Sequence, residues 1–212
     1  MDVRASYDSA AEAYAEHLYD ELAHKPLDRH LLNRFAESTA GRGLVADLGC
    51  GPGHVARYLH ERGVSTLGID LAPSMVQCAA QRAAQRAPAV EFRVGDMRAL
   101  DLLDASLAGI VAFYAIVHFA PAELPSVFGE MRRVLAPDGL ALVAFHAGDE
   151  TVHVDELFGR PVSLDFRFHQ PDVVAAALRD VGLTVTESVE REPYDGVEYP
   201  SRRCYLLARA GR

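Results

Sequence analysis

Apolar positions along the chain alternate between short runs, rich in β-branched residues, and longer stretches in which apolar residues recur every three or four positions. The short runs predict strands, and the longer stretches predict helices. Strands and helices that alternate in this way form a mainly parallel sheet with crossover helices. The predicted strands are 44–48, 65–70, 90–94, the first half of 109–119, 140–145, 183–189 and 203–208, and the predicted helices are about 54–62, 73–86, 124–135 and 171–181.

Two segments lie outside this alternation. Residues 1–40 carry two helical patterns, one before and one after Pro26, and glycines separate them from the first strand. Residues 146–169 are too long for a simple connection and are rich in histidine, acidic and aromatic residues. Insertions at this edge of an α/β sheet often recognise ligands. We therefore predict one domain over 1–212, with a helical cover at 1–40 and a ligand-site insertion at 146–169.

A glycine-rich turn, Asp-Leu-Gly-Cys-Gly-Pro-Gly at 47–53, follows the first predicted strand. Glycine tolerates positive φ and lets a ligand approach the backbone, and the N-terminus of the next helix can bind that ligand. Asp70 ends the second predicted strand, 19 residues after Gly51, where nucleotide-binding folds hold a ribose diol. We therefore expect Asp47 and Asp70 to flank one pocket. An ordinary tight connection between strand and helix is the alternative.

Three motifs, at 47–53, 68–75 and 95–97, follow one another with spacings that are typical of a known family. Through them the chain resembles the class I S-adenosylmethionine-dependent methyltransferases, over residues 7–210. The resemblance implies a Rossmann-like, doubly wound α/β fold. Its seven-stranded sheet would be mostly parallel with an antiparallel C-terminal strand, and helices would cover both faces, with an N-terminal helical lid.

The resemblance also implies the cofactor, S-adenosylmethionine, and its product, S-adenosylhomocysteine. In the family the acid after the third strand, here Asp96, accepts a hydrogen bond from the adenine amino group, and the next apolar residue packs on the ring. A carboxylate that caps the turn at Arg98 is the alternative for Asp96. The implied cofactor-binding residues are Tyr14, Asp47, Gly49, Gly51, Gly53, Asp70, Leu71, Met75, Asp96, Met97 and Phe113.

Residues 114–118 follow the fourth predicted strand, and by resemblance they line the place to which the methyl group points. Tyr114 and His118 are the candidate catalytic residues there. The unperturbed pKa of histidine, about 6.5, suits proton removal near neutral pH. Alternatively, His118 orients the loop by hydrogen bonding, and His146 is the second candidate base. Many relatives have an acid just before the fourth strand, and Ala108 occupies that position here.

Composition and charge limit the kinds of partner that the protein can bind. The net charge of −9 and the pI near 5.4 disfavour a nucleic-acid substrate, which leaves a small-molecule acceptor. No run of the sequence approaches the roughly 20 apolar residues of a membrane span. Three cysteines without CxxC spacing, and a start unlike a secretory signal, predict a cytoplasmic protein. The histidines show no recurring metal-ligand spacing, so no metal is expected. The oligomeric state stays open between a monomer and a homodimer.

The predicted function is transfer of a methyl group to a nucleophilic O, N, C or S atom of a small-molecule metabolite. A non-methylating member of the fold, a cyclase or a binding scaffold, is one alternative. An NAD-dependent oxidoreductase is another, because it shares ribose-binding acids and a glycine turn. Its fingerprint is GxGxxG, however, whereas this chain has GxGxG.

Overall fold

The computed structural model describes residues 2–211, and in them one seven-stranded sheet has the strand order β3-β2-β1-β4-β5-β9-β8. Strands β1 to β5 pair in parallel, and β9 runs antiparallel to both of its neighbours. The strands of this sheet are β1 Leu44–Leu48, β2 Ser65–Asp70, β3 Glu91–Val94, β4 Leu107–Phe113, β5 Leu135–Ala147, β8 Leu183–Arg191 and β9 Arg202–Ala210. The helices are α1 Val3–Leu18, α2 Pro26–Thr39, α3 His54–His60, α4 Pro73–Arg86, α5 Leu124–Val134 and α6 Pro171–Asp180. The predicted fold is therefore confirmed.

Helices cover both faces of the sheet because its central strands are apolar on both sides. Along β4, Ile110 packs in the cluster that α5 and α6 complete, whereas its neighbour Val111 packs in the cluster that α2 and α3 complete. Phe128 of α5 and Leu32 of α2 are both fully buried, one in each cluster. Successive side chains of a strand point to opposite faces, so a continuous apolar run such as β4 requires cover on both faces.

The order of the strands determines where a ligand can bind. The chain passes from β1 outward to β2 and β3, and then returns to the other side of β1 with β4. At such a switch point the connections after β1 and β4 diverge to opposite faces, which leaves a crevice beyond the carboxyl ends of these strands. The glycine-rich turn follows β1, and the segment from Tyr114 follows β4. Both predicted site segments therefore meet at this edge.

The predicted bounds differ from the structure mainly at α5 and β5. The turn chemistry of 137–139 predicts an interruption between a helix ending at 135 and a strand beginning at 140. Instead, α5 passes directly into β5 at Leu135, and the pairing of β5 with β4 shifts register between Leu107 and Gly109. Asp138 has a φ of 58°. The turn residues therefore form an irregularity within the strand, which lets β5 pair on both sides of it.

Helix α1 lies across the site edge of the sheet, between α4 and the inserted segment. Ala11 and Ala15 of this helix are buried and allow close approach to Met75 of α4. On the same helix, Asp8 accepts a 2.8 Å hydrogen bond from the backbone N–H of Ser74, in the first turn of α4. A carboxylate in that position satisfies a free amide and is favoured by the helix dipole. Residues near the N-terminus are thereby held over the crevice.

The segment at 146–169 forms a hairpin of two antiparallel strands, β6 Thr151–Leu157 and β7 Arg160–Arg167, separate from the main sheet. Val162 and Leu164 of β7 pack on Ala10 of α1. Ser6 of α1 accepts a 3.1 Å hydrogen bond from the backbone N–H of Ser163. The hairpin therefore supports the outer face of α1.

Candidate active site

A cavity of about 200 Å³ lies at the carboxyl ends of β1, β2 and β4, beneath α1, and it is open to solvent on one side. Segments from the glycine turn, the ends of β2, β3 and β4, and helix α1 contribute to its wall. All but two of the predicted site residues line it, namely Tyr14, Gly49, Gly51, Asp70, Leu71, Met75, Asp96, Met97, Phe113, Tyr114 and His118.

The two exceptions are Asp47 and Gly53, which lie outside the cavity wall and stabilise the glycine-rich turn. The Asp47 side chain is buried, and its Oδ2 accepts a 3.0 Å hydrogen bond from the backbone N–H of Ala56 in α3. Gly53 has a φ of 81°, and a Cβ placed there would lie 2.7 Å from the Phe92 ring. No residue of α3 borders the cavity. Asp47 thus accepts from one of the amides at the start of α3, and ligand binding by that helix N-terminus stays a prediction.

Burial raises the pKa of the Asp47 carboxyl to about 7, since the apolar surroundings disfavour the charged form. The nearby Asp70 also raises this pKa, whereas His54 and the Ala56 N–H lower it. Of the predicted acids, Asp70 and Asp96 line the cavity wall, whereas Asp47 lies behind the turn and its part in cofactor binding stays a prediction.

Gly49 and Gly51 make the floor of the cavity. Gly49 has a φ of 69°, and a Cβ there would lie 2.5 Å from the Cβ of Ala115, in the segment after β4. Gly51 has a φ of 50° and faces the ring of Tyr14, 3.7 Å from the position of a Cβ. A larger residue at Gly49 would fill the space between the two connections, so glycine there keeps the crevice open.

Asp70 is held by backbone amides at the end of β2. Its Oδ2 accepts a 2.8 Å hydrogen bond from Gly51 N–H, and its Oδ1 accepts a 2.9 Å bond from Ala72 N–H. Burial raises the pKa of this carboxyl, and hydrogen bonds from the backbone N–H groups of Ala72, Gly51 and Leu71 lower it. A carboxylate has about four lone-pair sites. With three amides donating, Asp70 can accept one further hydrogen bond from a hydroxyl group in the cavity.

Asp96 makes the turn contact that was the alternative interpretation and also borders the cavity. Its Oδ1 accepts from the backbone N–H of Arg98 at 2.9 Å, and the Arg98 guanidinium donates to both carboxylate oxygens, with Nη2 to Oδ2 at 2.6 Å. These hydrogen bonds lower the pKa of Asp96. Met97 lies beside it in the cavity wall. The turn contact thus fixes Asp96 as a charged acceptor at one end of the cavity.

His118 is the centre of a chain of hydrogen bonds that joins three segments. Its Nδ1 lies 3.1 Å from the backbone carbonyl of Asp165, and its Nε2 lies 2.8 Å from the hydroxyl of Tyr7. A carbonyl only accepts, so Nδ1 carries the proton, and Nε2 accepts from the Tyr7 hydroxyl. Burial lowers the pKa of His118 to about 4. The ring is therefore neutral at physiological pH.

Tyr114 follows β4 with a φ of 55° and faces the cavity. The hydroxyls of Tyr114 and Tyr205 lie 3.1 Å apart, and Tyr205 donates to Asp28 at 2.8 Å. Because Tyr205 has one proton, Tyr114 is the donor between the two tyrosines. Its ring also lies 5.4 Å from Nζ of Lys25 and 5.7 Å from the Arg203 guanidinium carbon. A buried network therefore fixes the orientation of Tyr114.

His146, the second candidate base, is not part of the cavity wall. Its Nδ1 lies 2.7 Å from the Ser201 hydroxyl, and its ring stacks on Phe168 with centroids 5.0 Å apart. Burial, with the cations Arg203 and Lys25, lowers its pKa to about 3. These contacts make His146 a neutral packing residue behind Tyr114.

Sequence reasoning missed several residues of the wall. Tyr7 lies two helical turns before Tyr14, and this spacing alone could have placed both rings on one face of α1. Gly95 and Ala115 lie in segments that the sequence did assign to the site, the motif at 95–97 and the segment 114–118. The remaining residues carried no recognisable signal, because their position at the cavity depends on how the elements pack. The residues in question are Val3, Tyr7, Ile69, Gly95, Arg98, Ala115, Phe119 and Glu123.

Two further features concern metal binding and the membrane. Within residues 2–211, no group of three or more histidine, cysteine, aspartate or glutamate side chains is arranged to hold a metal ion. Over the same part of the chain, no helix has both the length and the apolar composition needed to cross a membrane.

Comparison with known proteins supports the family that the sequence motifs indicate. A family profile described as "Methyltransferase domain" matches residues 45–139, which include the glycine turn, Asp70 and Asp96. This match and the similar proteins support a class I S-adenosylmethionine-dependent methyltransferase. The malonyl-[acyl-carrier protein] O-methyltransferase of Serratia marcescens is 35% identical over 98 residues, which are 46% of this chain and 36% of that protein. The chain spans between 28% and 56% of the length of these curated relatives.

Solved structures of other proteins share the fold. The 1,6-didemethyltoxoflavin-N1-methyltransferase of Burkholderia thailandensis, solved with S-adenosylhomocysteine, has a TM-score of 0.75 and 21% identity, and the match covers 99% of this chain and 88% of that one. The [4+2]-cyclase SpnF has a TM-score of 0.69 and 19% identity, with 86% and 80% covered. Likeness at this level of identity shows the fold, and the same fold carries different reactions.

Proposed function

We propose that this chain transfers the methyl group of S-adenosylmethionine to a nucleophilic O, N, C or S atom of a small molecule. One observation carries the proposal. The fold brings Asp70, Asp96 and the turn glycines Gly49 and Gly51 to one cavity, although 47 residues separate the first and last of them. The family match over the same stretch supports it.

The residues present fit the cofactor. Asp70 keeps a lone pair for a ribose hydroxyl, since three backbone amides occupy three of its roughly four lone-pair sites. Asp96 is a charged acceptor that suits the amino group of adenine, and Met97 offers an apolar surface beside it. Gly49 leaves space that a Cβ would fill. Phe113, Tyr114 and Tyr14 would surround the methionine end, where aromatic faces favour a positive charge.

When bound, S-adenosylmethionine supplies an electrophilic methyl group on a positively charged sulfur. The chain's own task is then to hold a nucleophile in line with that group and to exclude water. Orientation of this kind contributes on the order of 7 kcal/mol or more to the barrier. Helix α1 covers the cavity, and Tyr7 and Tyr14 form part of its wall. Tyr114, fixed by Tyr205, would face the acceptor.

The structure favours the orienting role for His118. With a pKa of about 4, holding a proton on Nε2 at pH 7 would cost roughly 4 kcal/mol at 1.36 kcal/mol per unit. His118 therefore serves as a neutral acceptor that directs the Tyr7 hydroxyl, and through it α1, at the cavity. A nucleophile that arrives deprotonated, or that loses its proton to water, suits such a site.

The acceptor is proposed to be a small molecule, and the chain to be a cytoplasmic enzyme that binds neither nucleic acid nor membrane. The net charge of −9 supports this, because binding to phosphate backbones requires a basic surface. The hairpin at 146–169 would act on the acceptor site indirectly, since it holds His118 through the Asp165 carbonyl and supports α1. Both a monomer and a homodimer are compatible with this proposal.

Calorimetric titration with S-adenosylhomocysteine tests the cofactor, with NADH as the control ligand. We expect micromolar binding of the first and none of the second. Asp70→Ala should abolish that binding and keep the fold, because the ribose diol loses its acceptor. Unchanged affinity in Asp70→Ala would contradict the assignment of this residue. NADH binding would favour an oxidoreductase.

Transfer is then tested with labelled S-adenosylmethionine against a panel of small-molecule acceptors. His118→Ala should slow turnover more than it weakens cofactor binding, because the Tyr7 hydroxyl loses its partner. An equal loss in both would reduce His118 to a structural role. Tight cofactor binding without transfer to any acceptor would favour a non-methylating role, as in the cyclase that shares this fold.

A further inference from the structure

The wall of the cavity is aromatic on the side formed by α1 and by the segment after β4. Tyr7 and His118 meet there edge to face, with ring centroids 5.3 Å apart, and Tyr14 packs edge-on against Tyr7 at 5.9 Å. Aromatic surfaces of this kind pack well on another flat ring. The aromatic side chains of the wall are Tyr7, Tyr14, Phe113, Tyr114, His118 and Phe119.

The single proton of the Tyr7 hydroxyl is already engaged. Nδ1 of His118 donates to the Asp165 carbonyl, which leaves Nε2 of the neutral ring as an acceptor, and Tyr7 donates to Nε2 at 2.8 Å. Tyr7 keeps this proton, since burial raises the pKa of its hydroxyl well above the ordinary value. The Tyr7 oxygen therefore has only lone pairs left to offer a ligand.

These lone pairs are free to accept a hydrogen bond. Among residues 2–211, the hydrogen-bond partner of the Tyr7 hydroxyl is His118 alone. Tyr7 and His118 are both partly exposed, and both line the cavity. A ligand that brings an O–H or N–H group to the Tyr7 oxygen gains a hydrogen bond, whereas a ligand that brings only lone pairs leaves both groups unsatisfied.

The neighbouring tyrosine does not supply the missing donor. Tyr114 gives its proton to Tyr205, which gives its own to Asp28. Tyr14 lies against Gly51, in the part of the cavity proposed for the cofactor. The end of the cavity around Tyr7 and His118 therefore recognises a hydrogen-bond donor.

The charges of the wall disfavour an anionic methyl acceptor. Its charged side chains are three carboxylates, Asp70, Asp96 and Glu123, and one guanidinium, Arg98. His118 adds no positive charge, because burial lowers its pKa to about 4. The excess of negative charge repels an anion, and the positively charged sulfur of the proposed cofactor repels a cation. An uncharged molecule avoids both penalties.

We propose that the methyl acceptor is an uncharged aromatic molecule that donates an O–H or N–H hydrogen bond to the Tyr7 oxygen. This inference rests on the proposed function, since it concerns the acceptor of the same site. Tyr7 is then a residue that determines specificity. His118 is a positioning residue, because its Nε2 takes the Tyr7 proton and so turns the lone pairs of the oxygen to the ligand.

The test is a ligand-detected NMR titration of the full chain with indole, quinoline and benzoate, at pH 7.5 and with saturating S-adenosylhomocysteine. Indole offers only an N–H donor and quinoline only a nitrogen acceptor, and both are flat and uncharged at this pH. We expect indole to bind about 3- to 10-fold more tightly than quinoline, as one hydrogen bond predicts, and benzoate to bind more weakly than either. Quinoline that binds as tightly as indole would overturn the donor requirement, and benzoate that binds as tightly would overturn the uncharged class.

Substitutions at the pair locate the effect. His118→Leu removes Nε2 and frees the Tyr7 proton to donate, so quinoline should gain several-fold and the preference for indole should disappear or reverse. Tyr7→Phe combined with His118→Leu removes every partner, so the two probes should bind equally. Tyr58→Phe is the control, because the Tyr58 hydroxyl donates to Asn33 and does not border the cavity, and it should keep the preference. An indole preference that survives in His118→Leu and in the double variant would overturn the proposal.

Titration of the same proteins with S-adenosylhomocysteine separates this inference from the proposed function. Wild-type protein that fails to bind S-adenosylhomocysteine would count against the function itself. Protein that binds it and shows no preference for indole would overturn only the inference about the methyl acceptor.

Discussion

Asp47 offers a sharp test of how the glycine turn is built. Its carboxyl is buried and has a pKa of about 7, against an ordinary value of 3.8. The folded protein therefore binds a proton that the unfolded chain releases between these two pH values. A group whose pKa is raised on folding stabilises the protein at low pH, and this contribution disappears as the pH rises through 7.

The size of the effect follows from the two pKa values. Integrated from about pH 5.5 to about pH 8, the difference in proton binding removes roughly 2 kcal/mol from the free energy of unfolding. Asp47→Asn carries no titratable group but keeps an oxygen that can accept from the Ala56 N–H. We expect the variant to lack this loss, so the difference between wild type and variant should change by about 2 kcal/mol between the two pH values.

Urea unfolding followed by circular dichroism is the suitable assay, because the chain contains no tryptophan for fluorescence. The comparison between wild type and variant cancels other titrating groups, among them His118 and His146, whose lowered pKa values act in the opposite sense. Asp149→Asn, at an exposed position, is the matched control. A change below about 0.5 kcal/mol between the two pH values would refute the reasoning. Affinity for S-adenosylhomocysteine should change little, since Asp47 does not border the cavity.

Three further predictions follow from the site. Gly53→Ala should lower the free energy of unfolding by roughly 1 kcal/mol or more beyond the effect of Gly63→Ala, as measured by urea unfolding. Both glycines have φ near 80°, but only a Cβ at Gly53 would clash with the Phe92 ring. Tyr205→Phe should lower stability by about 1–3 kcal/mol and leave Tyr114 without its acceptor; a loss below 0.5 kcal/mol would argue against the network. The pH profile of kcat should show no inflection near 6.5 from His118, whose pKa is about 4; an inflection that disappears in His118→Ala would restore the role of base.

The sequence alone determined the class of fold and the edge of the sheet where the site lies. Alternating strands and helices leave few topologies, because parallel strands need crossover connections. Carboxyl ends of parallel strands lie at one edge, so acids at the ends of β2 and β3 were expected to meet there. Local chemistry, namely glycine at a tight turn and an acid at a strand end, therefore predicted most of the cavity wall.

Only the tertiary structure decided which way individual side chains point and which distant residues meet. Asp47 lies within β1, so its carboxylate faces α3, whereas Asp70 ends β2 and reaches the cavity. The Tyr7 and His118 side chains are 111 positions apart in the chain, and Tyr19 meets Arg82 only because α1 lies on α4. Such contacts depend on how helices pack over the sheet, and no local pattern encodes that packing. The sequence thus specified the place of the site, and the packing of α1 specified its hydrogen-bond chemistry.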